Sequence, residues 1–180
     1  MFEMIKQYKP FLIFLVGFFG SYLILVGIYN IYLKQYDFDK YESDGMTTLV
    51  SHQTNVLTNL IGQKGRIEPS TLEPAYIVII NNRKVARIVE GCNAVSVMIL
   101  FSAFIIGFRG RFKNTFWFIL GGVLLIHFFN VIRISLITLG LYYYPEYRRL
   151  LHDYFFPLLI YGVVFLLWLL WVNKFSYHAK

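Results

Sequence analysis

The chain is short of charge and of cysteine. Only 15% of its 180 residues are Asp, Glu, Lys or Arg, whereas 57% are hydrophobic and 19% aromatic. A soluble domain of this length needs far more polar surface to cover its core, so a water-soluble globule is excluded. A single cysteine, Cys92, excludes an internal disulfide framework and any paired-cysteine metal motif. There is no glycine-rich phosphate loop, no G-x-S-x-G turn, no pair of carboxylates inside an apolar run, no internal repeat and no low-complexity segment. Nucleotide chemistry and the Ser/His and dicarboxylate classes of intramembrane protease therefore fit poorly, and no metal or cofactor is expected. The formal net charge is +7, but the basic residues flank apolar runs instead of forming one dense patch. That pattern orients a membrane protein; nucleic acid is not an expected partner.

What is present are long apolar runs. Phe11–Leu33 is 23 residues without a charge, Gly91–Phe108 is 18, and Tyr154–Asn173 is 20. Thr115 to Leu141 is interrupted by one charge, Arg133. A span needs about 20 mostly apolar residues, so the sequence predicts an all-α membrane protein, a bundle of four transmembrane helices. The first run is too long for a signal-peptide core and lacks an A-x-A-like cleavage site, so it reads as a retained anchor. Lys6 and Lys9, then Arg109, Arg111 and Lys113, then Lys174 and Lys180 mark three cytoplasmic regions. Both termini are then cytoplasmic, and 34–90 and 142–153 lie outside. Arg148 and Arg149 in the second outer turn run against the rule. The segment 34–90 carries seven acidic and seven basic residues that cancel.

The chain thus divides into an N-terminal tail and first span (1–33), an extracytoplasmic insert (34–90) and a three-helix catalytic membrane region (91–180). The insert is expected to be small and α+β. Asp44 is a candidate cap for a helix over Met46–Ile61, with Leu49, Val56, Leu57 and Leu60 near one face and Gly62 and Gly65 ending it. Such a helix rests on the membrane surface or packs on the bundle. "AYIVIINNRKVARIVEG" predicts a hairpin: Tyr76–Ile80, a type I′ turn at Asn81-Asn82, and Lys84–Val89. Its second strand leads to Glu90, Gly91 and Cys92 and holds the start of the second span in place.

Few side chains can carry chemistry. Cys92 taken alone reads as a small buried hydrophobe, since free cysteine is among the most buried residue types. Arg133 inside a span costs at least about 2.5–3.5 kcal/mol near the bilayer centre and needs a partner or a polar cavity. Asn130 and His127 precede it at three-residue steps on roughly one helical face, which points into the bundle. The alternative is a structural arginine bonded to carbonyls of a neighbouring helix. His152 opens the last span, where a histidine is often only a polar tip at headgroup level. The orientation places Cys92, Arg133 and His152 toward the outer leaflet, and the three make a workable acyl-transfer set. The His and Arg favour thiolate, the His protonates a leaving amine, and the Arg stabilises an oxyanion. The remaining tension is depth: a helix reaching Gly140 leaves Arg133 about 10 Å below its outer end.

At "EGCNAVS" around Cys92, "NVIRIS" around Arg133, and His152 before the last run, the sequence resembles the exosortase and archaeosortase family of membrane cysteine transpeptidases. The order Cys, Arg, His over residues 87–175 is similar to that family's, and the short length and long first outer loop look like the small F-type exosortases of Bacteroidetes-like bacteria. In larger relatives, with about eight spans, the cysteine motif typically reads C-S-G or C-A-G, whereas here it is Cys92-Asn93-Ala94. The resemblance implies a protease or transpeptidase in the bacterial cytoplasmic membrane, with its active site at the outer face. It implies protein substrates carrying a C-terminal motif, a transmembrane helix and a basic tail, cleavage through a thioester, and transfer to a glycan or lipid acceptor. Cys92 would be the nucleophile, His152 the acid/base and Arg133 the oxyanion or carbonyl stabiliser, with Glu90, Asn93 and Asn130 supporting. Two other classes remain open from the residues alone. One is a scaffold or lipid-binding bundle using Asn130–Arg133. The other is a small transporter with His127, Asn130 and Arg133 along a polar path, against which the lack of a repeat speaks.

Overall fold

The computed structural model describes residues 2–151, 154 and 156–176. Its helices are α1 (Phe2–Leu33), α2 (Gly45–Leu60), α3 (Val95–Gly107), α4 (Phe112–Tyr143), the single turn α5 (Arg148–Leu150) and α6 (Phe156–Lys174). Its strands are β1 (Gly65–Pro69), β2 (Ala75–Ile80) and β3 (Arg83–Val89). Among the described residues three helices are long and apolar enough to cross a membrane: Tyr8–Leu33 of α1, Phe112–Tyr143 of α4 and Pro157–Lys174 of α6. The run 91–108 is helical only over the 13 residues of α3, about 20 Å at 1.5 Å per residue. Its start is taken up by a 3-10 turn at Glu90–Cys92 and by Ala94, whose φ of 61° lies in the left-handed region.

The chain divides into two compact units. One comprises Met1–Tyr32, Ser96–Leu125 and Val164–Lys180. It is held by aromatic side chains and by glycines that let helices approach closely. Phe14 meets Phe108 at 4.4 Å between ring centroids and Phe104 at 5.4 Å, and Phe104 meets Trp168 edge-on at 5.0 Å. A Cβ on Gly107 would come within 3.0 Å of the Phe14 ring, and one on Gly122 within 2.3 Å of Phe101. Without a hydrophobic driving force between helices in lipid, such close packing is the main source of association.

The other unit comprises Leu33–Val95 and Ile126–Val163. Here α2 packs on an antiparallel sheet of order β1-β2-β3 around Val50, Val78, Ile88 and Ile134. Asp44 caps α2, accepting from the backbone N–H of Met46 and of Thr47, each at 3.0 Å. The helix runs one residue earlier at each end than the sequence predicts. The β2–β3 hairpin turns at Asn81-Asn82, with φ of 49° and 66°, the left-handed pair a type I′ turn requires. The sheet gains β1, in register Ile67↔Val78, which the sequence reading left out. The face of α2 buried within this unit is Thr47, Val50, Ser51, Thr54 and Thr58, while Leu49, Val56 and Leu60 are exposed. Two tyrosines at the end of α4 fasten the insert: Tyr142 accepts from Asn81 Nδ2 at 3.0 Å and Tyr143 from Gln63 Nε2 at 2.7 Å.

Candidate functional site

The site is built where β3 ends. Glu90 opens the 3-10 turn that carries Cys92, and its carbonyl accepts the Asn93 N–H at 3.1 Å. Cys92 is half-buried and packs against the Val50–Val78–Ile88–Ile134 core. Asn93 is buried; its Oδ1 accepts the Val95 N–H at 2.9 Å, an Asx turn that starts α3. Its Nδ2 lies 3.4 Å from Asp44 Oδ1 and 3.3 Å from Thr47 Oγ1. The carboxylate that caps α2 therefore also reaches the residue beside the cysteine. Asp44 is fully buried and satisfied by these donors and by the Thr47 hydroxyl at 2.5 Å.

From α4, Asn130 is fully buried and donates through Nδ2 to the Cys92 carbonyl at 2.8 Å. Its Oδ1 accepts from Arg133 Nη1 at 3.3 Å. One asparagine thus joins Cys92 to Arg133. Arg133 Nε is buried without a hydrogen-bond partner among the described residues. His127, a turn earlier, turns instead to α2, its Nε2 2.7 Å from Gln53 Oε1. Cys92 sits on the turn ahead of α3, and its own carbonyl is held by Asn130 of α4.

Cys92 opens on a pocket of about 640 Å³. One side is β3, at Val85 to Arg87 and Val89; the other is Ile137 and Leu141 of α4 with Glu146, Arg148 and Arg149 beyond it. Of the residues singled out from sequence, Cys92, Asn130 and Arg133 are brought together, and Asn93 and Glu90 frame them. His152 lies outside the described residues. Sequence reasoning treated Asp44 only as a cap and missed Gln53. The link from Asp44 to Asn93 spans 49 positions, and no local pattern signals it.

A chain whose described residues include three helices long and apolar enough to span is a membrane protein. The family description for transmembrane exosortases matches residues 12–172, and the chain belongs to that family. The family is known for sorting-signal processing. No curated protein and no solved structure matches the chain significantly.

Proposed function

We propose that this exosortase is a membrane cysteine peptidase and transpeptidase that cleaves C-terminal sorting signals at the outer face of a bacterial cytoplasmic membrane. The observation that carries the reading is the Cys92–Asn130–Arg133 connection beside a pocket that Cys92 lines. The Cys92 thiolate attacks the scissile carbonyl carbon, a C–S bond forms, and the carbonyl electrons move to oxygen. Arg133 stabilises that oxyanion. His152, whose role comes with the family resemblance, protonates the leaving amine as the C–N bond breaks. A thioester remains on Cys92. Attack by an acceptor hydroxyl or amine on a glycan or lipid releases the thiolate; attack by water completes hydrolysis instead.

Orientation follows the basic residues. Arg109, Arg111 and Lys113 hold the start of α4 at the cytoplasmic surface. Arg133 is then 21 residues on, about 32 Å, near the outer boundary of a hydrocarbon core about 30 Å thick. In this arrangement α3 is the fourth crossing. At about 20 Å it needs local thinning of the bilayer or help from its flanking turn. Substrates with a transmembrane helix and a basic tail dock in the same orientation, their cleavage motif at the outer boundary.

The test is processing of a tailed substrate by Cys92→Ala at matched membrane level. Ala replaces a small half-buried side chain, so the fold should survive, and cleavage should stop. Normal cleavage by this variant rejects the reading.

A further inference from the structure

The exposed face of α2 has a specific occupant. Leu49, Val56 and Leu60 lie within about 40° of one another on the helix, opposite the buried Thr47–Ser51–Thr54–Thr58 face. They are 45%, 58% and 78% exposed. The pattern is the reverse of a soluble surface helix: hydroxyls point inward, where Ser51 and Thr58 bond the carbonyls of Thr47 and Thr54, and aliphatic side chains point out.

The position of this helix relative to the bilayer is set by Gln53, which flanks the stripe and bonds His127 of α4 at 2.7 Å. Helix α4 has 32 residues and is about 48 Å long. A hydrocarbon core about 30 Å thick must cover the stretch from about 18 to 30 Å along it, wherever the helix sits along the membrane normal. His127 is 15 residues from Phe112, about 22 Å along, and therefore lies inside that core in either orientation. Its neighbour Phe128 is exposed, as a lipid-facing residue of a span should be. Gln53 is at the same depth, and the stripe beside it continues the lipid-facing surface of α4.

We propose that α2 is an interfacial helix whose Leu49–Val56–Leu60 stripe is buried in the acyl chains of the bilayer. Lipid covers this face, as it does for amphipathic helices that sink about 5–10 Å below the headgroups. The sheet then rests on the polar back of α2. Because Asp44, at the start of α2, holds Asn93, the depth of the stripe also sets the depth of Cys92 relative to the bilayer. The inference rests on α4 crossing the membrane and not on the proposed chemistry, so either can fail alone.

The single cysteine makes the test direct. In Cys92→Ala, one cysteine at a time is introduced by Leu49→Cys, Val56→Cys, Leu60→Cys or, on the exposed sheet, Lys84→Cys. Each full-length chain is nitroxide-labelled and reconstituted in phosphatidylcholine vesicles. Collision rates with oxygen, which concentrates in acyl chains, and with a water-soluble nickel chelate are then measured. The oxygen-to-nickel ratio should be several-fold higher at all three stripe positions than at Lys84. A ratio equal to that at Lys84 overturns the proposal. So does spin–spin broadening at the stripe that disappears on dilution with unlabelled chain, since a second copy would then cover it. Three separate positions read one face, so a variant that fails to fold leaves two that decide.

Discussion

Asn130 serves two neighbours with one amide, donating to the Cys92 carbonyl and accepting from Arg133. Asn130→Ala removes both bonds and leaves a carbonyl and a guanidinium short of a partner, at a cost of about 1–3 kcal/mol. The thermal midpoint in detergent should fall, and processing with it. Arg133→Lys keeps the charge and separates two roles. If Arg133 only balances charge or meets a phosphate, Lys suffices. If it stabilises an oxyanion, the compact ammonium cannot reproduce the planar fork, and processing should drop about 10²–10³-fold at matched protein level. Near-normal processing would make the arginine structural. Ala94 offers a test of the backbone, since its φ of 61° is left-handed. Left-handed backbone costs a non-glycine residue about 1–2 kcal/mol, offset in part by the unfolded-state entropy of glycine. Ala94→Gly should therefore raise the thermal midpoint slightly and leave processing intact.

At the scale of elements, the insert is where sequence and structure can be compared most closely. Helix α2 and the Asn81-Asn82 hairpin were legible because their signals are local: an aspartate cap, glycines after the last turn, and paired asparagines between β-branched runs. Strand β1 was not, since "GRIEP" carries two charges and a proline and gains its pairing only from β2, after the turn over 70–74. The inner face of α2 was also hidden, because a threonine and serine stripe reads as solvated in a soluble helix and as packing in a membrane one. At the site, residue types and order picked out Cys92, Asn130 and Arg133. The carbonyl and Asp44 bonds that join them depend on three-dimensional proximity with no pattern in the chain. Asp44 joins these elements, and Asp44→Ala should cost about 1–2 kcal/mol from the lost cap, and more from the acceptor the Asn93 amide loses. Asp44→Asn keeps an acceptor for the helix N–H groups and should lose less; thermal unfolding followed by circular dichroism ranks the two.

For the whole molecule, the account depends on which side of the membrane the insert occupies. Reporter fusions after residue 82 and after residue 111 should read extracytoplasmic and cytoplasmic respectively. The opposite result would put Cys92 and its pocket in the cytosol. Central to everything, however, is a covalent intermediate on the one thiol. The most direct measurement is to incubate the reconstituted protein with a tailed substrate, quench in acid, and examine the Cys92 peptide by mass spectrometry. An acyl adduct on Cys92 that hydroxylamine removes, absent from Cys92→Ala, is the predicted result. Processing that proceeds without any adduct, and at the same rate in Cys92→Ala, would contradict it.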